Sequence, residues 1–554
     1  MQHRPWQRHY DYQVPETFKY PQIPAGEFLI VASKLFPDKP ALNFYGTETT
    51  FWVLRKKVLA MAKAMGEMGV RKGDRVGVHL PNSPQYVIAF YATLSLGATV
   101  VNLNPMYTAD ELSAICENTG VTTLFTFDMV LGNIRALTGR VSIPRVVVTR
   151  PTDFIDGFPV STAGELDLEE GWRHFSEILD NAKSAGPPRV SISPEDPALI
   201  QFTGGTTGIP KGAVLNHRNL VAGTIQAANW GASITGRIPP ERLTTLSVLP
   251  YFHVYGTVVV LSYSIYTCST QLVVPRFEID ELMGLIGGAE EISFFPAVPT
   301  MINAVINHPK AGELSLDRRL GLFNSGGGPL AVELIERVQD MGIPYSEGWG
   351  MSETTSLGIA NPVMGLKKTG SIGIPFPDTD VRLVDLAEGK DDVARGEPGE
   401  ILVKSPLVMR GYWNNPGETR GQMTEDGWLY TGDIAVQDED DYFFIVDRKK
   451  DMIIAGGYNI YPREVDEVLY QHPKVADAVT IGVEDPYRGE TVKALIVLKP
   501  GASASGKEIM EFARTKLASY KAPKIVEFRE DLPKSAVGKI LRKELRKEEE
   551  AKKS

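Results

Sequence analysis

Ten consecutive residues, Thr203-Gly204-Gly205-Thr206-Thr207-Gly208-Ile209-Pro210-Lys211-Gly212, follow the apolar stretch 198–202. Their glycines let the backbone approach an anion closely and adopt φ values closed to other residues, so several main-chain amides can point at one charge. Thr203, Thr206 and Thr207 add hydroxyl donors and Lys211 adds a cation. That is the chemistry of a polyphosphate cradle. It is not the Walker loop, whose Gly-Lys-Ser/Thr ending occurs nowhere in the chain.

Further along, Asn324-Ser325-Gly326-Gly327-Gly328-Pro329 forms a Gly-rich turn after a strand-like stretch. Tyr345-Ser346-Glu347-Gly348-Trp349-Gly350-Met351-Ser352-Glu353-Thr354 sets an aromatic between two glycines and follows it with a hard oxygen ligand, Glu353. A short strand at 343–345 is expected ahead of it. In Tyr430-Thr431-Gly432-Asp433 a carboxylate sits just past a turn, and a carboxylate accepts hydrogen bonds at two oxygens while donating none. Then come Asp447-Arg448-Lys449-Lys450-Asp451, Ala455-Gly456-Gly457-Tyr458-Asn459-Ile460-Tyr461-Pro462, and near the end Pro533-Lys534-Ser535-Ala536-Val537-Gly538-Lys539-Ile540.

In this order the motifs resemble the adenylate-forming superfamily and, within it, the bacterial long-chain fatty acid–CoA ligases, over 36–545. The resemblance implies an acyl adenylate made from a carboxylate and ATP with loss of pyrophosphate, then acyl transfer to the thiol of coenzyme A. It implies that Thr203 to Gly208 and Lys211 hold the phosphates, and that Thr206 and Glu353 hold Mg²⁺, an ion that takes few protein oxygens beside a nucleotide. Trp349, where the family usually has tyrosine, would lie against adenine, with Gly326, Gly327, Gly328, Gly350, Met351 and Ser352 around it. Asp433 would take the ribose hydroxyls and Arg448 a second ribose or phosphate contact. Lys450 matches a hinge pivot, and Gly456, Gly457 and Tyr458 match the pantetheine channel. Lys539 would reach the carboxylate and α-phosphate during adenylation, lowering their mutual repulsion as charge builds.

Pro250-Tyr251-Phe252-His253-Val254-Tyr255-Gly256 lies inside 243–275, a run without Asp, Glu, Lys or Arg. An acid bearing an ammonium would need a carboxylate there; this run suits an apolar tail, with His253 bordering the reacting carboxylate. An aryl acid, a carrier-protein thiol or a luciferase-like oxidation stays open as an alternative. So does a different class, a silent nucleotide- or fatty-acid-binding regulator. Lys211, Glu353, Asp433, Arg448 and Lys539 standing together argue against that last reading.

The elements that must position these motifs follow from periodicity. Strands are expected at 75–80, 99–103, 121–127, 145–149 and 198–202, and helices at 85–96 and 109–118, an alternation that implies βαβ units on a mostly parallel sheet. A helix is expected at 172–182 in an otherwise loop-like excursion, 150–197, and another at 258–265. A second alternation fills 198–342. After about residue 371, strands at 381–384 and 400–404 are separated by turns alone, the texture of a small antiparallel sheet or barrel near 375–445. Beyond come helix 462–471, strands 475–483 and 491–498, helix 507–517 and strand 525–528. The expectation is an α/β protein: a large domain, 1–447, of two α/β subdomains plus a small β-barrel, and a mobile α+β lid, 448–554, hinged at 447–451.

Composition sets the outer limits. The chain has 554 residues, 43% hydrophobic and 23% charged, values that exclude disorder and coiled coil. Its net charge of −10 argues against nucleic acid as a partner. The charge is uneven: 448–554 hold 22 basic and 17 acidic residues, against 36 and 51 in 1–447. A basic module after an acidic body suits a lid that meets phosphates. Two cysteines, Cys116 and Cys268, cannot form a disulfide framework and point to a reducing, cytoplasmic setting. Residues 1–12 lack the apolar core of a signal peptide. Transient contact with a membrane surface and a homodimer are left open.

Overall fold

The computed structural model describes residues 4–137, 139–156, 166–181, 190–203, 210–455, 458–534 and 540–552. They form two compact units, 1–380 with 404–427, and 381–403 with 428–554.

The first unit carries three sheets. The largest has eight strands in the order Gly411–Tyr412, Lys211–Asn216, Pro197–Thr203, Thr99–Asn102, Arg75–Val78, Val121–Phe127, Arg145–Thr149, Arg173–His174. From Pro197–Thr203 onward the pairing is parallel, whereas Lys211–Asn216 and Gly411–Tyr412 join antiparallel. Val76, Val78, Val100, Val101, Leu124 and Phe125 are buried, as a parallel sheet covered on both faces requires. Its helices start where the chain offers caps. Ser83 accepts from the Tyr86 amide ahead of Pro84–Ser95, and Thr108 with Glu111 forms a capping box ahead of Ala109–Thr119. Gly120, at φ 62°, ends the second of these helices in the left-handed region.

A second sheet orders Thr244–Ser247, Thr270–Val273, Pro40–Phe44 and Thr47–Thr50. The third orders Phe295–Ala297, Phe323–Ser325, Tyr345–Trp349, Ile359–Ala360 and Ile374–Pro375, the first three parallel.

Three expectations need correction. The helix expected from 172 begins at Phe175, because Arg173–His174 pairs with Arg145–Thr149 as an edge strand. The strand expected at 343–345 is Tyr345–Trp349: Pro344 has no amide to give, and its carbonyl accepts from Phe323 N where the pairing starts. The helix expected at 258–265 is a π-helix, Gly256–Ser262, continued by one α-turn, Tyr263–Tyr266. A Cβ on Gly256 would lie 2.0 Å from the Pro250 carbonyl oxygen, so only glycine admits the chain there.

In the second unit Gly399–Lys404, Leu429–Gln437 and Phe443–Arg448 run antiparallel, with Asp380–Val384 beyond Gly399–Lys404. The other sheet orders Tyr458–Ile460, Ile453–Ala455, Gly489–Leu498 and Val475–Asp485, with Ile525–Phe528 pairing parallel to Gly489–Leu498. Val465, Leu469, Val492, Ala494, Ile496, Ile509 and Ala513 make the core between this sheet and helices Pro462–Tyr470 and Gly506–Lys516. Residues 447–451, where the texture of the sequence breaks, lie inside this unit.

Candidate active site

Next to the edge strand Gly411–Tyr412 of the eight-stranded sheet, Pro197–Thr203 and Lys211–Asn216 pair antiparallel, with Thr203 opposite Lys211. Gly204, Gly205, Thr206, Thr207 and Gly208, expected to cradle phosphates, lie outside the described residues. Thr203 Oγ1 is 3.4 Å from the Lys211 carbonyl oxygen. Lys211 Nζ pairs with the Glu418 carboxylate and stands 5.4 Å from the centre of the Tyr412 ring. Tyr412 is placed by the antiparallel pairing of Gly411–Tyr412 with Lys211–Asn216, and its hydroxyl donates to Glu353 Oε1 at 2.8 Å. Burial first, then the charge of Glu353, pushes the Tyr412 phenol up, so it stays a donor. Lys211 and Glu353, 142 positions apart in the chain, are thus joined through one tyrosine. Glu353 is itself buried, and its carbonyl accepts from Met409 N at 2.8 Å.

The third sheet supplies the neighbouring turns. Phe323–Ser325 and Tyr345–Trp349 are adjacent and parallel, so Gly326-Gly327-Gly328 and Gly350-Met351-Ser352 leave from the same carboxyl edge, where open α/β sheets take ligands. Leu330 N donates to Glu347 Oε1 at 3.1 Å, closing the first turn onto the second strand. A Cβ on Gly326 would meet the Tyr255 ring at 3.0 Å, while the Tyr255 hydroxyl donates to Asn324 Oδ1 at 2.6 Å. Gly327 takes φ +80°. The half-buried Trp349 indole packs on Gly358, where a Cβ would come within 2.7 Å of the ring, and a Cβ on Gly350 would come within 2.0 Å of the Ser356 carbonyl oxygen. Met351 precedes the short helix Ser352–Thr354 that carries Glu353.

His253 is half-buried, and its Nδ1 accepts from Tyr255 N at 3.3 Å. In the neutral ring that assigns the proton to Nε2, which is then a donor. The π-helix that follows is buried at every residue.

In the second unit Asp433 pairs in register with Arg448, and Arg448 Nε is 3.3 Å from Asp433 Oδ1. Gly432 and Asp433, expected just past a turn, lie inside the strand Leu429–Gln437, where Gly432 takes φ +73°; the buried Glu400 accepts from Gly432 N at 3.1 Å and from Lys449 Nζ at 2.9 Å. Burial and Arg448 draw the Lys450 amine below its ordinary range. Asp451 pairs with Arg546, and Asp466 with Arg542, so the final helix, Arg542–Ala551, is fastened beside this segment. Tyr458 is 58% exposed and stacks on Tyr520 at 4.7 Å between ring centres. Gly456, Gly457 and Lys539 lie outside the described residues.

Sequence reasoning missed Tyr412, Glu418 and Glu400, and gave no role to Tyr255 inside the 250–256 motif. The first three are common residue types outside any spaced pattern, and only the tertiary fold brings each to a motif residue.

Among the described residues no group of three or more His, Cys, Asp and Glu is arranged to hold a metal ion. A nucleotide-bound Mg²⁺ does not need one, since phosphate and water oxygens complete its octahedron. The buried Glu353 carboxylate, oriented by the Tyr412 hydroxyl, is a donor that fits such an ion. No described helix is long and apolar enough to cross a membrane.

Comparison with known proteins gives three kinds of match. The family profile described as AMP-binding enzyme matches residues 31–413, and that described as AMP-binding enzyme C-terminal domain matches 464–539. A long-chain-fatty-acid–CoA ligase of Bacillus subtilis is 39% identical over 99% of this chain and 98% of its own, and a feruloyl-CoA synthase of Amycolatopsis is 33% identical over 94% and 98%. The structure of an anthranilate CoA ligase, AuaEII, in complex with anthranoyl-AMP superposes with a TM-score of 0.84 at 26% identity, covering 96% of this chain and 98% of that one.

Proposed function

We propose, for a chain that belongs to the family of AMP-binding, adenylate-forming enzymes, the following division of labour in joining a long-chain fatty acid to coenzyme A. The ligation runs in two steps. A fatty acid carboxylate oxygen attacks the α-phosphorus of ATP; the new P–O bond forms as the bond to pyrophosphate breaks, leaving an acyl adenylate. The thiol of coenzyme A then adds to the acyl carbonyl, loses its proton, and AMP departs.

In the first step Lys211, Thr203 and the loop residues Gly204, Gly205, Thr206, Thr207 and Gly208 take the phosphates. Thr206 and Glu353 would hold Mg²⁺, which neutralises charge on the phosphate oxygens when bound. Glu418 guards the Lys211 amine until phosphate competes for it, and Tyr412 aims Glu353. Trp349 and the 326–328 turn take adenine, while Asp433 and Arg448 take ribose. His253 presents Nε2–H to the substrate carboxylate, and Lys539 stands between that carboxylate and the α-phosphate. Such a reaction asks for positioning and charge neutralisation more than covalent help. In the second step Gly456, Gly457 and Tyr458 line the way for the thiol arm, with Lys450 as the pivot of a hinge at 447–451.

The observation that carries the choice of acid is the uncharged stretch 243–275 around His253, with its π-helix buried throughout. An ammonium-bearing acid would be stranded there without a partner. Pyrophosphate release with a panel of alkyl, aryl and amino acids, with and without coenzyme A, tests it. Release with palmitate followed by thiol-dependent AMP is expected; preference for ferulate or an amino acid would overturn the choice.

A bilayer surface is the macromolecular partner we propose. Leu35 and Trp52 are 63% and 47% exposed, Val31 and Val53 are exposed beside them, and Lys34 and Lys56 flank them. Trp52 N donates to the Pro37 carbonyl, which brings the start of helix Phe51–Glu67 against the end of Glu27–Leu35. Sedimentation with anionic but not neutral vesicles, lost in Trp52→Ser, is expected; equal binding of the variant would refute it.

A further inference from the structure

The turn that carries His253 is held by its own main-chain atoms, and the hands that hold it come from four places in the fold. Tyr251 N donates to Asn82 Oδ1 at 2.7 Å, and Asn82 Nδ2 in turn donates to the Ser247 and Leu249 carbonyls. The Tyr251 carbonyl accepts from the Thr257 hydroxyl at 2.6 Å and has the Tyr86 hydroxyl at 2.8 Å. The Phe252 carbonyl accepts from Gln201 Nε2 at 3.0 Å. The His253 carbonyl has Thr257 Oγ1 at 3.2 Å in addition to Thr257 N at 2.8 Å.

These side chains are also tied to one another. Asn102 Nδ2 donates to Gln201 Oε1 at 3.0 Å and to Thr257 Oγ1 at 3.2 Å, and the Tyr86 hydroxyl lies 2.7 Å from Asn102 Oδ1. Tyr86, Asn102, Gln201, Tyr251 and Thr257 are all at least 97% buried. Gln201 stands two residues before Thr203 on the strand that leads into the Gly-rich loop, and Asn102 ends the parallel strand beside it.

A plain structural turn needs no such arrangement. Buried amides and hydroxyls are expensive unless satisfied, and apolar packing would stabilise the same region at less risk. What the network adds is geometry: three consecutive carbonyls, 251 to 253, are fixed relative to the strand that carries the phosphate loop. We propose that Gln201, Thr257, Tyr86 and Asn102 are positioning residues that fix His253, and with it the fatty acid carboxylate, at its distance from the ATP phosphates. This rests on the reading of His253 given above.

The consequence is specific to one substrate. Strand pairing holds the backbone of Pro197–Thr203 whether or not the Gln201 side chain is present, so ATP binding should survive its loss. The freed Phe252–His253 turn should present the carboxylate poorly, and misplacement by about 1 Å can cost about 10²-fold in rate. The test is steady-state adenylation, followed as pyrophosphate release, in Thr257→Val, Gln201→Met and Tyr86→Phe, with palmitate and ATP varied separately and His253→Ala as control.

In Thr257→Val and Gln201→Met we expect kcat/KM for palmitate to fall about 10- to 10²-fold while KM for ATP moves less than about threefold. Thr257→Ser, which keeps the hydroxyl, should restore palmitate kcat/KM. Thr257→Val is nearly isosteric, so it serves if the Gln201 variant does not fold. A lowered melting temperature with unchanged palmitate kcat/KM would reduce the network to a stability role and overturn the proposal. A rise in KM for ATP as large as the loss in palmitate kcat/KM would overturn it as well. If the network variants behave as expected but His253→Ala is fully active, the role of His253 fails and the proposal falls with it. Loss in His253→Ala with no effect in the others leaves that role standing and refutes only the network.

Discussion

Replacing Asp466 by asparagine should change how the second unit responds to pH. Asp466 is buried on helix Pro462–Tyr470, faces Arg542, and has Asp447 nearby as a second negative charge. Burial pushes its carboxyl up to about 7 against the pull of Arg542. The folded unit therefore holds a proton between about pH 4 and 7 that the unfolded chain has already released. The stability this contributes is complete below the ordinary carboxyl range and is lost as pH rises through about 7. Taken from 3.8 to about 7, at about 1.4 kcal/mol per decade, the loss is about 4 kcal/mol. Asp466→Asn cannot titrate and should lack this slope. Hydrogen exchange in the full-length chain, corrected for intrinsic rate, reads it on peptides covering Pro462–Tyr470 and Arg542–Ala551. Wild-type protection should fall relative to the variant between pH 5 and 8. Arg542→Met should make matters worse at pH 8, where the carboxylate is left without its cation at a cost of about 3–5 kcal/mol, and less so at pH 5. Parallel pH profiles for wild type and Asp466→Asn would refute the reasoning.

Other consequences are quicker to check. Tyr412→Phe removes the donor to Glu353, a hydrogen bond to a charged group worth about 1.5–3 kcal/mol, so KM for ATP with Mg²⁺ should rise about tenfold or more with little change in KM for palmitate. Glu400→Ala frees both Gly432 N and Lys449, and nucleotide affinity by calorimetry should fall about tenfold while Glu400→Gln, which still accepts from Gly432 N, loses less. Gly256→Ala forces a Cβ onto the Pro250 carbonyl and should abolish acyl adenylate formation or folding altogether, as read by pyrophosphate release and circular dichroism. Cys116 and Cys268 are both buried, with burial pushing their thiols up to about 12 and about 11; native protein should resist thiol-specific labelling at pH 7.5 and keep its activity.

The sequence made legible whatever is local. Val121–Phe127, Arg145–Thr149 and Ile525–Phe528 begin and end where β-branched and aromatic runs do, and Pro84–Ser95 and Ala109–Thr119 follow readable caps. Lys211 and Glu353 stand out as candidates because their motifs combine chemistry with glycine spacing, whereas Asp433 and Arg448 stand out only by their order behind the Gly-rich loop. Their partners do not stand out. Tyr412 meets Glu353 across 59 residues and Glu418 meets Lys211 across 207, and nothing in either neighbourhood marks the meeting. Periodicity also failed at 256–262, since an apolar run with small polar residues reads alike as α- or π-helix; the contact that decides is Gly256 against a carbonyl six residues back.

The hidden partners divide by charge in a way that follows from the reaction. Where a group is proposed to meet phosphate or ribose, the support is itself ionic: Glu418 on Lys211, and Lys449 on Glu400 beside Asp433; the proposed Mg²⁺ donor Glu353 has instead the neutral Tyr412 hydroxyl. Around His253 the support is neutral, made of Asn82, Asn102, Gln201, Thr257 and two tyrosines. Adenylation brings a carboxylate toward a triphosphate, so any fixed negative charge at 201 or 102 would add repulsion in a buried, low-dielectric place where it is strongest. A fixed positive charge there would hold the carboxylate in the ground state as tightly as in the transition state, and uniform binding of that kind does not speed the chemical step. Amides and hydroxyls set a distance without favouring either state. Neutral support therefore suits the acyl side of this reaction, and it leaves the catalytic charge to groups that engage as the new bond forms.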